Sequence, residues 1–157
     1  MSQLSNVAAT APGMTGVERQ QETIAGRRQG PGIWQVLGLR LESAEVGRAT
    51  LVATPGAELA NPGGGLHGGF YGTFLDSCMA SAVSSTLAAG QGSTTLEFKV
   101  NIIRPIMPGT PVRAIGVAQH VGRSTGIATG EIRGIEDDKL YATGSTTCMV
   151  FQIPANA

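Results

Sequence analysis

Leu37, Leu39 and Leu41 alternate with Gly38, Arg40 and Glu42, the period-two pattern of a strand with one buried face. Arg48–Thr54 reads as a second strand, with ESAEVG between them as the turn of a hairpin. Residues 55–65 form a loop. From Leu66 to about Ala89 there is no proline, and the period changes. Phe70, Phe74, Cys78 and Ala82 recur at spacing four, and Leu75, Met79 and Val83 widen the stripe. That pattern predicts a helix with almost no charge on any face, buried nearly all round. Period two then returns in Thr94–Ile103. Leu96, Phe98, Val100 and Ile102 take one face there, and Thr95, Glu97, Lys99 and Asn101 the other. Val112–His120, Gly126–Gly134 and Leu140–Ile153 are further strands, linked by RPIMPGTP, HVGRS and IEDDK. Strands joined by such short connections are largely antiparallel. Two strands, one long helix and four strands predict an α+β layer whose sheet curls around the helix. Residues 1–30 stand apart as an N-terminal tail. They are either mobile or carry a short docked helix over Val17–Arg28, ended by GPG at Gly30–Gly32. Residues 31–155 form the one folded domain.

Composition narrows the function. The 157 residues carry 11 Lys and Arg against 11 Asp and Glu, so the basic footprint of a nucleic-acid binder is absent. Apolar runs fall well short of the roughly 20 residues a membrane span needs. The start lacks a basic stretch followed by an apolar core, so no secretory leader is expected and a cytoplasmic location is. Cys78 and Cys148 match no metal-site spacing and read as small buried hydrophobes in a reducing compartment. Only 14% of residues are charged, below the usual quarter or so, and 23 are glycine. A surface so poor in charge suggests a chain that buries area against copies of itself.

Three motif matches fail on context. GGGLHG (Gly63–Gly68) fits the dinucleotide-binding glycine pattern, but repeated βαβ units and the later acid are missing. GRSTG (Gly122–Gly126) fits a nucleophile elbow, yet a strand follows it and no histidine lies after His120. Two histidines and two distant cysteines support no zinc site.

The stretch NPGGGLHGGFYGTFLDS holds the chemistry. A helix N-terminus offers unpaired backbone N–H groups and the positive end of the dipole. Here Gly63, Gly64, Gly65, Gly68 and Gly69 leave that end uncovered by side chains. Two readings stand: an oxyanion site, or glycine for close helix–sheet packing. Asp76 is the only charged residue between Leu66 and Gly90, and a carboxylate on a buried helix is costly unless it is used. It follows His67 by nine residues, about 180° around the axis and about 13 Å along it. One helix cannot aim both into one small pocket. If they share a site, two chains build it, with helices antiparallel about a two-fold axis.

NPGGGLHGGFYGTFLD resembles the active-site segment of hotdog-fold acyl-CoA thioesterases of the PaaI-like and 4-hydroxybenzoyl-CoA thioesterase branch. That pattern runs Asn, five residues, His-Gly-Gly, then an acid nine after the His, met here by Asn61, His67, Gly68, Gly69 and Asp76. KVNIIRPIMPGTPV and HVGRSTGIATGEI resemble the third strand and central hairpin of the same family. The resemblance spans about residues 33–151 and implies the hotdog fold, a curved antiparallel sheet wrapped around one central helix. It implies thioester hydrolysis without cofactor or metal, by a homodimer or a tetramer of two dimers. The Gly68 N–H, flanked by Gly69, would hold the thioester carbonyl oxygen, with Asn61 assisting and His67 orienting it. Asp76 of the partner chain would act as general base or nucleophile. A hydroxyl near the acid would come from Thr95, counting back from Pro105, or from Thr94, counting forward from Asp76. Arg123 and Ser124 match the turn that meets the nucleotide end of coenzyme A, and Arg104 is a second phosphate candidate. Two alternatives are a non-catalytic acyl-CoA binder and a hydratase or dehydratase on the same fold. The second lacks its motif here.

Overall fold

The computed structural model describes residues 13–153. Its centre is α3 (Gly68–Ser85), held in one six-stranded antiparallel sheet. Helices α1 (Gly16–Ile24) and α2 (Gly32–Leu37) precede the strands. Strands β1 (Arg40–Glu45) and β2 (Arg48–Ala53) come before α3. Strands β3 (Gln91–Ile102), β4 (Val112–Val121), β5 (Thr125–Gly134) and β6 (Leu140–Gln152) follow it. The spatial order β1-β2-β4-β5-β6-β3 leaves β1 and β3 as edges.

The expected apolar stripe of α3 is buried throughout. Phe74, Leu75, Cys78, Met79, Ala82 and Val83 have no exposure, and Phe70 and Tyr71 almost none. The helix is shorter than expected, because His67 is its N-cap and Thr86 its C-cap. Both cysteines are free and buried, and burial pushes the thiols of Cys78 and Cys148 up, away from reactivity. Among the described residues no helix is long and apolar enough to cross a membrane.

Three local readings need correction. Leu37 does not belong to a strand: it closes α2, and Gly38 at φ +65° turns the chain before β1. The alternation of Leu37, Leu39 and Leu41 therefore spans a helix end, a left-handed glycine cap and a strand start. The segment ESAEVG is not all turn, because β1 runs through Glu45 and only Val46 and Gly47 reverse the chain. GPG at Gly30–Gly32 does not end the first helix but starts the next, with Pro31 as the N-cap of α2.

The N-terminal helices lie against α3. Thr15 and Glu18 form a reciprocal capping box at the start of α1. Gln20 Nε2 donates to Ser81 O at 2.7 Å, and Gly16 N–H to Leu87 O at 2.8 Å. Trp34 Nε1 donates to Ser77 Oγ at 3.0 Å, fixing α2 to the middle of α3.

Candidate active site

The loop before α3 folds around Asn61. Its Oδ1 accepts from Gly63 N–H at 2.8 Å, its Nδ2 donates to Leu66 O at 3.1 Å, and its N–H donates to Gly65 O at 2.7 Å. Leu66 N–H then reaches Ile106 O at 2.9 Å, and His67 N–H reaches Leu59 O at 2.8 Å. Tyr71 ties the same connection from inside the helix. Its hydroxyl accepts from Ile106 N–H at 2.6 Å and donates to Arg104 O at 3.3 Å. Burial, offset in part by the Ile106 N–H bond, holds this phenol above its ordinary pKa.

The helix entrance is less bare than the sequence suggests. His67 Nδ1 accepts from Gly69 N–H at 3.0 Å, so an imidazole caps α3. Gly69 therefore offers a ligand only its missing side chain. The Gly68 N–H has no hydrogen-bond partner among the described residues. His67, Gly68 and Gly69 are all exposed. A Cβ added at Gly68 would meet only the tip of Ile102, at 3.6 Å, so packing does not require glycine there.

Asp76 lies two turns further on and is half-buried. Thr95 Oγ1 donates to its Oδ1 at 2.8 Å, while Oδ2 has no partner and no cation pairs with it among the described residues. Thr95 rather than Thr94 meets the acid, and the reason is a β-bulge. Thr95 pairs with Cys148 and Glu97 with Thr147, so Leu96 is an extra residue. It reverses the strict alternation and returns Thr95 to the helix-facing side. Phe98 and Ile102 also face α3, beside Gly72 and Gly68. No signal in the sequence marks the bulge, and the count back from Pro105, which crosses it, is the one that finds Thr95.

The remaining candidates separate. Gly122–Ser124 forms the β4–β5 turn, closed by Gly122 N–H to Thr125 O at 2.8 Å, with Arg123 and Ser124 exposed. Gly126 pairs with Cys148, which pairs with Thr95, so this turn and the acid share one end of the sheet. Arg104 lies past the other end of β3, its guanidinium donating to Leu140 O. Within one chain Arg123 and Arg104 do not converge on one phosphate group. Among the described residues no His, Cys, Asp and Glu side chains gather into a metal-binding group. Tyr71, Phe74 and Met79 belong to the core.

One long helix seated in a single curled antiparallel sheet is the architecture of the hotdog thioesterases. The chain belongs to the thioesterase superfamily, whose family model matches residues 63–141, half of the chain. Among solved structures it is similar to the conserved protein PA5202 from Pseudomonas aeruginosa. That match has 32% identity and a TM-score of 0.75, over 81% of this chain and 99% of that one. A phenylacetic acid degradation-related protein of Ralstonia eutropha, described as a candidate thioesterase, shares 27% identity. Its TM-score is 0.76, over 83% of this chain and 98% of that one. The Escherichia coli PaaI protein of the phenylacetic acid degradation operon has the same fold at 20% identity. Its TM-score is 0.77, over 89% of this chain and all of that one. No curated protein matches the chain.

Proposed function

We propose that the chain hydrolyses an acyl-CoA or aryl-CoA thioester to the free acid and coenzyme A, at sites shared by two copies. The observation that carries this is the pair of unspent groups on α3: the Gly68 N–H without a partner and the Asp76 carboxylate held at one oxygen by Thr95. The thioester carbonyl oxygen accepts from Gly68 N–H, where the helix dipole stabilises the charge that develops on it. Asn61 and His67 keep that amide in place. Asp76 takes a proton from water as the water oxygen bonds to the carbonyl carbon, the C–S bond breaks and the thiolate leaves. In the nucleophilic variant the carboxylate itself attacks, and water cleaves the resulting anhydride. Arg123 and Ser124 meet the nucleotide end from the exposed turn.

The two groups are about 12 Å apart along one helix, so a partner must supply one of them. Strand β3 supports such a pairing. It is a sheet edge, and Leu96, Phe98 and Ile102 on it are 62%, 46% and 52% exposed. Thr95 lies beside Asp76 and Ile102 beside Gly68. An antiparallel pairing of two β3 edges about an axis between Phe98 and Lys99 sets Thr95 of one chain opposite Ile102 of the other. The acid of one copy then faces the amide of the next.

The test is complementation, read as free-thiol release from acyl-CoA. Asp76→Asn chains and chains carrying Asn61→Ala with Gly68→Pro are each expected to be inactive. Mixed, they form dimers with one doubly defective and one intact site, and activity returns towards half of wild type per mixed dimer. Background activity in mixtures whose subunits have exchanged, as shown by tagged pull-down, overturns the shared site. No thiol release by the wild-type chain from any acyl-CoA leaves a binding protein instead.

A further inference from the structure

Beside the residue that carries the Gly68 amide, between α2, the 3-10 turn Ala57–Leu59 and the first turns of α3, opens a cleft of about 450 Å³. That lies within the usual range of small-molecule sites, roughly 300–1,000 Å³. Ile33 and Leu37 of α2, Leu59 of the 3-10 turn Ala57–Leu59 and Phe70 of α3 make its walls apolar. His67 and Gly69 line the end nearest the amide. Its one fully charged group is Glu58, whose carboxylate pairs with no cation among the described residues. Thr73 is also at the wall, but its hydroxyl is spent on Gly69 O at 3.1 Å.

A thioester held at Gly68 N–H has two arms. One carries the phosphates of coenzyme A and the other is the acyl group. An apolar cleft whose only charge is an unpaired carboxylate rejects the phosphate arm, by repulsion and by desolvation. We propose that this cleft takes the acyl group, that Ile33 and Leu37 of α2 set the size it accepts, and that Glu58 excludes acyl groups ending in a carboxylate. This rests on the thioesterase reading and adds a substrate class to it: neutral, apolar acyl or aryl groups, not dicarboxylic ones. The selecting wall comes from residues 33–59, ahead of the segment 63–141 that carries the family's pattern. Trp34 is the anchor that makes α2 a fixed wall, through its bond to Ser77, while Ile33 beside it is 48% exposed and free to be changed.

The experiment measures kcat/KM for acetyl-, hexanoyl-, phenylacetyl- and glutaryl-CoA, with wild type, Ile33→Trp and Glu58→Lys. Both substitutions are at exposed positions, so folding is retained. Wild type is expected to prefer hexanoyl- or phenylacetyl-CoA over glutaryl-CoA. In Ile33→Trp the ratio of hexanoyl- to acetyl-CoA activity falls about tenfold, the scale at which a hydrophobic pocket resolves size. In Glu58→Lys the ratio of glutaryl- to hexanoyl-CoA activity rises about fivefold or more. An active enzyme whose two ratios stay within twofold of wild type overturns this inference and leaves the thioesterase reading intact. Absence of hydrolysis with all four thioesters overturns both.

Discussion

The two halves of α3 use glycine in opposite ways. Around its second half, the glycines belong to the neighbours. A Cβ on Gly16 of α1 would overlap the Ser84 carbonyl oxygen, and one on Gly116 of β4 would overlap that of Cys78. Those glycines let α1 and the sheet touch the helix backbone, and the result is a closed, dry contact. In the first half the glycines lie on the helix itself. Gly68 and Gly72 would each accept a methyl group with neighbours no nearer than 3.4 Å, and at Gly69 only the His67 ring, at 3.1 Å, would have to give. Glycine that packs nothing keeps a surface bare for something outside the chain. Of the two readings open for the helix-entrance glycines, close packing does not require glycine at Gly68, whose amide stays open.

Four substitutions probe that contrast. Asp76→Asn keeps the shape of the side chain and removes its basicity, so the rate of thioester hydrolysis should drop on the order of 10³-fold. The melting temperature should stay within about 3 °C, an allowance below the shift usual for 1 kcal/mol. A rate above a tenth of wild type would detach the acid from the chemistry. Gly68→Pro removes the amide donor and should cost about 10²-fold in kcat. Gly68 is the first helical residue, where proline is favoured, and His67 before it is already extended at φ −62°, ψ 141°. A folded but fully active variant would put the oxyanion elsewhere.

Gly116→Ala tests the other half. The added methyl group meets backbone rather than a movable side chain, and chemical denaturation should show a loss of about 2–3 kcal/mol. Activity per folded molecule should hardly change, and an unchanged midpoint would mean the sheet can retreat from Cys78. Tyr71→Phe is the mildest. It strands the Ile106 N–H and one carbonyl, for a loss of about 1–2 kcal/mol. Because the same bonds hold the connection that braces Leu66, kcat should also fall a few-fold. Stability lost with kcat unchanged would make Tyr71 a core residue only.

The sequence carried the long helix, the four strands after it and their antiparallel order, because period and turn chemistry are local signals. It also brought Asn61, His67, Gly68 and Asp76 into view through their spacing. Three features stayed hidden. The αL glycine that separates Leu37 from Leu39 imitates strand alternation, since a helix end, the residue after its cap and a strand residue can share a parity. Capping by His67 was missed because imidazole is not among the usual N-cap side chains. The cleft beside His67 is assembled from α2, the 3-10 turn and α3, and nothing local marks residues 33, 37, 59 and 70 as neighbours.

The extra residue at Leu96 changes the phase of β3 partway along its length. Before it, the strand is keyed to the carboxylate of α3; after it, to the row of apolar side chains along the open edge. The two segments are out of step by half a repeat, so each can be altered without rotating the other. A homologue without the bulge would carry its hydroxyl one place nearer Pro105 in sequence while holding it at the same point in space. Aligned by unbroken counting, two such strands would appear to disagree about a residue on which their structures agree.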